Sequence, residues 1–272
     1  MKKKIQWLLV WCCTAVFLNC KEQPSKRKEE TKTVAETEVV KSRFPEALVN
    51  VLNGHGGLEA WNKKRTLQFE LPNDKGGEVH TIDLRTRKDK VTMRDVSMGF
   101  DGTDVWVLDE KNNFKGDAVF YHNLMFYFYA MPFVLADEGI QYDSAKPIIF
   151  EDYTYPGIRI AYNNGVGTSP KDEYFLHYDP KTFQMEWLGY TVTYGTGEKS
   201  DTVKWIRYED WMEVSGLRLP KKLTWYSNTG QTMETAKSSR IFENVRLDTT
   251  EKPDTFYALP KGGTVVDDVE GL

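Results

Sequence analysis

The sequence predicts a mainly β (α+β) fold built on a strongly curved antiparallel sheet. From Leu67 onward, apolar and polar residues alternate with a period of two in many short runs, and turn signals such as Asp101-Gly102 separate the runs. All but three of the 36 aromatic residues lie from Phe44 onward, and aromatic side chains are favoured on strands. Residues 44–272 number about 230, which suits one β-rich domain.

Two short helices are predicted ahead of the strands. Between Pro45 and Leu52 the apolar residues have helical spacing, and the glycines at positions 54, 56 and 57 end the helix. A second helix is predicted from Leu58 to Trp61, after which the period changes to two.

Antiparallel strands are predicted wherever the period-two alternation recurs. Their predicted positions are 67–71, 82–84, 91–93, 105–107, 158–162, 173–178, 185–194, 202–211, 218–226 and 239–247. The segment Val119–Ala136 interrupts the pattern with a dense run of aromatic and aliphatic residues. His122, Asn123 and Pro132 within it argue against a membrane span, so we predict one or two short helices packed into or across the β structure.

The N-terminus has the pattern of a bacterial lipoprotein precursor. Three lysines at positions 2–4 precede an apolar run from Ile5 to Leu18, as in a signal peptide. That run is shorter than the roughly 20 residues that a membrane-spanning helix needs. Phe17-Leu18-Asn19-Cys20 resembles a lipobox, so we predict a signal peptide over residues 1–19 and lipidation of Cys20. Several acyl chains on Cys20 would anchor the protein to a membrane.

A plain secretory signal is the alternative interpretation. It leaves Cys20 as a free thiol, because no cysteine follows position 20 to form an intramolecular disulfide. Residues 20–43 are predicted to form the lipidated cysteine and a flexible charged tether, since Lys21–Arg43 contains no aromatic residue. Removal of residues 1–19 takes away three lysines and changes the formal charge from −4 to −7, which disfavours nucleic acid as a partner.

Several motifs resemble the LolA-like outer-membrane lipoprotein-sorting superfamily. The segment Tyr174–Leu188 resembles one of its hairpins, Tyr208–Leu223 another, and Gly99–Trp106 a third. Two further motifs, His55–Trp61 and Tyr121–Leu135, resemble an uncharacterised family of exported lipoproteins that is grouped with this fold. The resemblance covers roughly Phe44 to Leu259.

The resemblance implies a half-barrel of antiparallel strands with helices covering its concave face, over residues 44–272. Such a half-barrel would enclose an apolar cavity for acyl chains, with Val119–Ala136 as its lining or lid. It also implies a location in the cell envelope, and Lys21 after the lipidated cysteine favours the outer membrane, facing the periplasm or the cell surface. The motifs predict fold better than function, because turns such as Asp179-Pro180 set the backbone path whatever the sheet binds.

The sequence contains no recognisable motif for catalysis or metal binding, and no cofactor is predicted. The four histidines, at positions 55, 80, 122 and 177, lack metal-ligand spacing. His55 follows a helix in a glycine-rich turn, where we expect it to cap the helix or form hydrogen bonds, and we expect His177 to be structural. Asp172 and Glu173 would point to opposite faces of a strand, which is wrong for an acid/base pair. We interpret them as a solvated loop end.

Two other kinds of active site are disfavoured. Gly165–Lys171 is rich in glycine but lacks the Gly-Lys-Ser/Thr ending of a phosphate-binding loop. A serine nucleophile elbow is absent, and the one cysteine that processing leaves is the lipidated Cys20.

The aromatic excess is the feature that points to a function. We predict a membrane-anchored lipoprotein, not an enzyme, that binds or carries a lipid, acyl chain or other hydrophobic ligand in the half-barrel cavity. The predicted ligand-binding residues are Trp61, Phe69, Trp106, Phe120, Phe126, Phe133, Tyr174 and Trp187.

Two other hypotheses remain open at this point. One is an envelope scaffold whose interior is filled by its own side chains and whose loops bind another envelope protein. The other is an envelope hydrolase, which would require His55, His122 or His177 to cluster with carboxylates in a cleft.

Overall fold

The computed structural model describes residues 43–163, 171–194, 198–230 and 232–266. They belong to one unit, which begins at Ser42. The predicted signal peptide, Cys20 and all but the last residue of the predicted tether lie outside the described residues, as do positions 165–170 of the glycine-rich segment. None of the described helices is both long enough and apolar enough to cross a membrane.

Short helices lie at the start, in the middle and near the end of this unit. They are α1 (Glu46–Gly54), α2 (Leu58–Asn62), α3 (Ala118–Tyr121), α4 (Leu124–Tyr129), a 3-10 helix (Phe133–Ala136) and α5 (Asp254–Tyr257). The two predicted N-terminal helices are confirmed, and so are the short helices within Val119–Ala136. Gly56 and Gly57 follow α1 with φ angles of 99° and 91°, a conformation that favours glycine.

The described strands form two antiparallel sheets. The first sheet contains β1 (Thr66–Leu71), β2 (Glu78–Asp83), β3 (Asp89–Thr92), β4 (Ser97–Phe100), β5 (Val105–Leu108), β13 (Glu243–Asp248) and β14 (Thr264–Val266). Its strand order is β13-β1-β2-β3-β4-β5-β14. Strands β1 to β5 are therefore a meander, in which each strand pairs with the next along the chain.

The second sheet is also a meander. It contains β6 (Ile140–Phe150), β7 (Tyr153–Tyr162), β8 (Glu173–Tyr178), β9 (Met185–Tyr190), β10 (Lys204–Val214), β11 (Leu217–Thr229) and β12 (Thr232–Ile241). These seven described strands follow chain order from one edge to the other. Neither sheet closes into a barrel through its described strands, so the predicted mainly β, half-barrel class is confirmed.

Parts of the strand pattern differ from the prediction. The sequence does not predict β6 or most of β12, because both are edge strands with mostly exposed side chains, which removes the apolar alternation. β4 and β14 are also missed, since Gly99 interrupts any alternation in β4 and two of the three residues of β14 are exposed. The single strand predicted over 239–247 is wrong. β12 ends at Ile241 and β13 begins at Glu243 in the other sheet, with buried Phe242 between them.

Both faces of the second sheet are covered by packed side chains. Leu188 and Ile206 belong to the main core, which also includes side chains of the first sheet, α1, α2, α4 and the 3-10 helix. Their neighbours Trp187 and Trp205 point to the opposite face, into a smaller core. All four side chains are at most 1 % exposed, so much of the interior is filled by the protein itself.

Candidate ligand-binding site

An apolar cavity of about 350 Å³ remains between the helical segment and the second sheet. We call it the apolar cavity. Its lining comes from three places: the segment from α3 to just before β6, the end of β7 with the start of β8, and the stretch at and after the end of β9. The lining residues are Phe120, Asn123, Leu124, Tyr127, Phe128, Met131, Val134, Asp137, Glu138, Tyr162, Asp172, Tyr174, Tyr190, Thr191, Val192 and Tyr194.

Helix α4 faces the cavity on one side and the main core on the other. Leu124, Tyr127 and Phe128 line the cavity at positions i, i+3 and i+4, which share one helix face. Met125 and Phe126 lie on the other side, in the main core. A helix between a packed core and an apolar cavity needs apolar residues all round. This placement explains why Val119–Ala136 is too rich in large apolar residues for a single stripe.

Three tyrosines from neighbouring strands form the opposite wall. Tyr162 of β7, Tyr174 of β8 and Tyr190 of β9 have ring centroids 5.8 Å and 6.4 Å apart in that order. The hydroxyl of Tyr190 accepts a hydrogen bond from Trp225 Nε1 at 3.1 Å. Burial raises the pKa of Tyr162 and of Tyr174, so both phenols are neutral at physiological pH. The wall therefore offers ring surface and neutral hydroxyl groups.

The mouth of the cavity is also aromatic. Phe120 and Tyr127 are 36 % and 38 % exposed, the two exposed aromatic side chains of the lining. The Phe120 ring lies 4.7 Å from the ring of Tyr194, and the Tyr194 hydroxyl donates a hydrogen bond to Asp117, the N-cap of α3, at 2.6 Å. This contact ties the start of α3 to the chain that follows β9.

One carboxyl group lines the cavity from within. Asp172 is only 7 % exposed, and the Thr191 hydroxyl donates to its Oδ1 at 3.5 Å. Burial raises the pKa of Asp172 above its ordinary value, with hydrogen bonds from Thr193 and Thr191 opposing that shift. The interpretation of Asp172-Glu173 as a solvated loop end is therefore wrong for Asp172, because its side chain points into the cavity.

The side chain of Glu173 points to the opposite face of the strand from Asp172 and forms ion pairs there. It accepts from Arg159 Nη2 at 2.6 Å and lies 2.8 Å from Lys199 Nζ. The hydrogen bond from Arg159 lowers the pKa of Glu173. The two adjacent carboxyl groups are thus separated by the strand, and they do not form an acid/base pair.

The structure distributes the sequence-predicted ligand-binding residues over several places. Phe120 and Tyr174 line the apolar cavity. Trp61 and Phe133 line a second, polar pocket that shares Asp137 and Glu138 with the cavity. They stack on each other, with ring centroids 4.6 Å apart and planes 5° apart.

The other four predicted residues line neither pocket. Phe69 and Phe126 are packed inside the main core, and Trp187 in the smaller core. Trp106 lies on the opposite face of the first sheet, where its Nε1 donates to the backbone oxygen of Tyr257 at 2.8 Å. These side chains are each at most 1 % exposed, so the structure assigns them to packing.

Sequence reasoning missed most of the sheet side of the cavity. Tyr162, Tyr190, Val192 and Asp172 were not among the predicted ligand-binding residues. A signal did exist for the tyrosines, because Tyr162 ends β7, Tyr190 ends β9 and Tyr174 lies near the start of β8. In an antiparallel meander the end of one strand lies beside the start of the next, so these three positions lie at the same end of adjacent strands.

Two of the four histidines bond to the backbone. His55 and His177 form ring hydrogen bonds with backbone groups, as expected for both. His122 Nδ1 lies 2.6 Å from Asp89 Oδ2, but these side chains are 7 % and 1 % exposed and line neither pocket. The pair therefore lies outside both pockets. Among the described residues, no group of three potential metal ligands occurs.

The model of one protein family, the Family of unknown function (DUF6503), matches residues 3–238. The chain belongs to this family. None of the curated proteins compared with this DUF6503 chain matches it.

Solved structures similar to the DUF6503 chain include two that are matched over 95 % of their own length. A LolA superfamily protein from Nitrosomonas europaea is 11 % identical, with a TM-score of 0.44 over 74 % of this chain and 95 % of that protein. A DUF1329 family protein from Desulfovibrio piger is 9 % identical, with a TM-score of 0.47 over 78 % of this chain and 95 % of that protein.

A more distant match is the lipoprotein LppX from Mycobacterium tuberculosis. It is 8 % identical, with a TM-score of 0.24 over 53 % of this chain and 87 % of that protein. The first of these proteins is of the superfamily that the sequence motifs predict. At these TM-scores the likeness says nothing about ligand or activity.

Proposed function

We propose that this protein binds one small hydrophobic or single-chain amphiphilic molecule in the apolar cavity and catalyses no reaction on it. The observation that carries the proposal is the cavity itself, an unfilled space of about 350 Å³ lined mainly by aromatic and aliphatic side chains. Pockets for small molecules have this composition, with few polar groups that fix the ligand's orientation. In the same proposal, acylated Cys20 anchors the protein in the cell envelope, at the outer membrane.

The volume limits the ligand. Small-molecule pockets span roughly 300–1,000 Å³, so this cavity is near the lower end of that range. It has room for one chain or a small ring system. The several acyl chains of a lipoprotein would require the core around Phe126 and Tyr129 to open, and both side chains are at most 1 % exposed. A single-chain ligand is therefore favoured over lipoprotein cargo.

The polar groups of the cavity favour an uncharged ligand head. Among the described residues, Asp137, Glu138 and Asp172 are the charged residues of the lining, and no lysine or arginine lines the cavity. A carboxylate ligand would meet negative charge, whereas a hydroxyl or amide could hydrogen-bond to Asp172 or to a tyrosine hydroxyl. We infer that an alcohol or amide amphiphile binds more tightly than a fatty acid of equal length.

The filled cores favour a second candidate, an envelope scaffold that binds a partner protein. Trp187 and Trp205 close one face of the second sheet, and Phe126 and Phe133 fill much of the other. If the apolar cavity stays empty in the purified protein and refuses added ligands, its aromatic residues serve packing, and the scaffold is the better account.

Native mass spectrometry tests the proposal on the chain from residue 20 with Cys20→Ser, purified without detergent. The wild-type cavity is expected to retain a co-purifying molecule or to bind added decanol. Val192→Trp fills the cavity without adding charge, and it should abolish binding while the protein stays folded. Val265→Trp is the matched control, because Val265 is 46 % exposed on β14 and lines neither pocket. Equal binding by wild type and Val192→Trp would contradict the proposal.

A further inference from the structure

The pocket next to the apolar cavity has the opposite chemistry. It has a volume of about 360 Å³, and Arg43, Arg85 and Arg87 line it. We call it the arginine pocket. The chain as a whole carries a formal charge of −4. Three arginines around one pocket are therefore a local reversal of the protein's charge.

The acidic residues of the arginine pocket do not cancel its arginines. Asp137 and Glu138 also line it, which leaves a surplus of one positive charge. Asp137 is engaged, since Arg87 Nη2 donates to its Oδ2 at 2.5 Å. The other acidic residue of the lining, Glu138, is exposed.

Many guanidinium donors remain available. Each arginine has five N–H donors. Arg43 donates from Nη2 to the backbone oxygen of Ala136 at 2.9 Å, and Arg87 donates from Nη1 to that of Leu84 at 3.0 Å. The Arg85 guanidinium has no hydrogen-bond or ion-pair partner among the described residues, and Arg85 is exposed. The carbonyl bonds hold Arg43 and Arg87 in place at the pocket while most donors stay unused.

The pocket is backed by an apolar surface. Trp61 and Phe133, which stack at 4.6 Å, line it and are 5 % and 1 % exposed. Leu58 also lines it. An apolar backing lowers the local dielectric, which strengthens an arginine–anion contact relative to one on an open surface.

We propose that the arginine pocket is a binding site for a phosphate group, carried either by a free anion or by a lipid headgroup. The planar fork of an arginine pairs with phosphate oxygens through two parallel hydrogen bonds. Arg85 would supply such a fork, with Arg43 as its partner on the same anion. This site is independent of the proposed function, because its arginines do not line the apolar cavity.

Two measurements on the chain from residue 20 with Cys20→Ser separate the two sources of phosphate. Calorimetry with inorganic phosphate at low ionic strength tests the free anion. Co-sedimentation with vesicles of phosphatidylglycerol and phosphatidylcholine, against vesicles of phosphatidylcholine alone, tests the headgroup. Arg85→Gln removes the unpartnered guanidinium. Arg246→Gln is the matched control, because Arg246 is exposed on β13 and lines neither pocket.

We expect phosphate or phosphatidylglycerol to bind, and Arg85→Gln to weaken that binding at least fivefold while Arg246→Gln changes it less than twofold. Binding of inorganic phosphate assigns the site to free anions, and binding of phosphatidylglycerol vesicles alone assigns it to headgroups. The proposal is overturned if neither ligand binds, or if the two variants weaken binding equally. Decanol binding, which tests the apolar cavity, can fail or succeed without affecting either result.

Discussion

The imidazole of His55 joins the end of α1 to β9 and β11, and the backbone N–H of Met185 determines which ring nitrogen carries the proton. The backbone N–H of Met185 donates to His55 Nε2 at 2.9 Å, so that nitrogen carries no proton. His55 Nδ1 therefore holds the proton and donates it to the backbone oxygen of Arg218 at 3.0 Å. The ring is fully buried, and burial lowers the pKa of His55 to about 4.

The stability of the protein should fall as the pH is lowered from 6.5 to 4. Because the pKa of His55 is about 4 in the folded protein and 6.5 when unfolded, the unfolded chain binds more protons between these values. His177 has the same lowered pKa of about 4, from burial. Each histidine should reduce the free energy of unfolding by about 2 kcal/mol between pH 7 and pH 5.

Urea unfolding at pH 7 and pH 5 measures this dependence. His55→Asn should lower the stability at pH 7, because it breaks two buried hydrogen bonds, yet it should reduce the loss on acidification by about 2 kcal/mol. A variant that loses as much stability as wild type between the two pH values would show that His55 is not the titrating group.

Asp172→Asn should change which ligands the apolar cavity accepts. The Asp172 carboxylate would repel a bound carboxylate by about 1 kcal/mol at 6–8 Å in a partly solvated site. Its removal should strengthen decanoate binding about fivefold and leave decanol binding unchanged, as measured by calorimetry at pH 8. Asp104→Asn, on an exposed loop outside the cavity, is the control. An unaltered preference between the two ligands would argue that the head group does not lie near Asp172.

The stacked pair Trp61 and Phe133 should contribute to stability through direct coupling. Phe133→Ala is expected to cost about 3–5 kcal/mol because it opens a cavity in the core. Phe133→Leu keeps most of the volume, so its loss should be smaller. A double-mutant cycle of Phe133→Leu with Trp61→Leu, followed by urea unfolding, should give a coupling of about 0.5–1.5 kcal/mol. Additive losses would mean that the rings contribute only by their volume.

Cys20→Ala should release the protein from the membrane fraction of the cells that produce it. The prediction rests on the lipobox-like sequence before Cys20, and several acyl chains anchor a protein by about 0.8 kcal/mol per buried methylene. Fractionation and immunoblotting measure it, with metabolic labelling by a fatty acid as the direct test of acylation. Retention of Cys20→Ala in the membrane fraction would contradict a lipid anchor at that residue.

The sequence by itself determined the local structure and the fold class. Period-two alternation predicted β1, in which Leu67, Phe69 and Leu71 are buried, and glycines after α1 marked the end of that helix. The density of aromatic residues in Val119–Ala136 indicated that this segment needs apolar surroundings on several sides. Edge strands such as β6 were not predictable in this way, since their exposed side chains carry no alternation.

Only the tertiary structure decided which apolar residues face a cavity. Phe126 and Tyr127 are neighbours of the same chemical class, yet the first is 1 % exposed in the main core and the second lines the cavity mouth. Trp187 and Tyr190 lie three residues apart on β9 and serve opposite faces of the sheet. The hydrophobicity of a residue predicts that its side chain is buried. It does not predict whether that side chain faces a packed core or a cavity, because the facing residues belong to strands and helices distant in sequence.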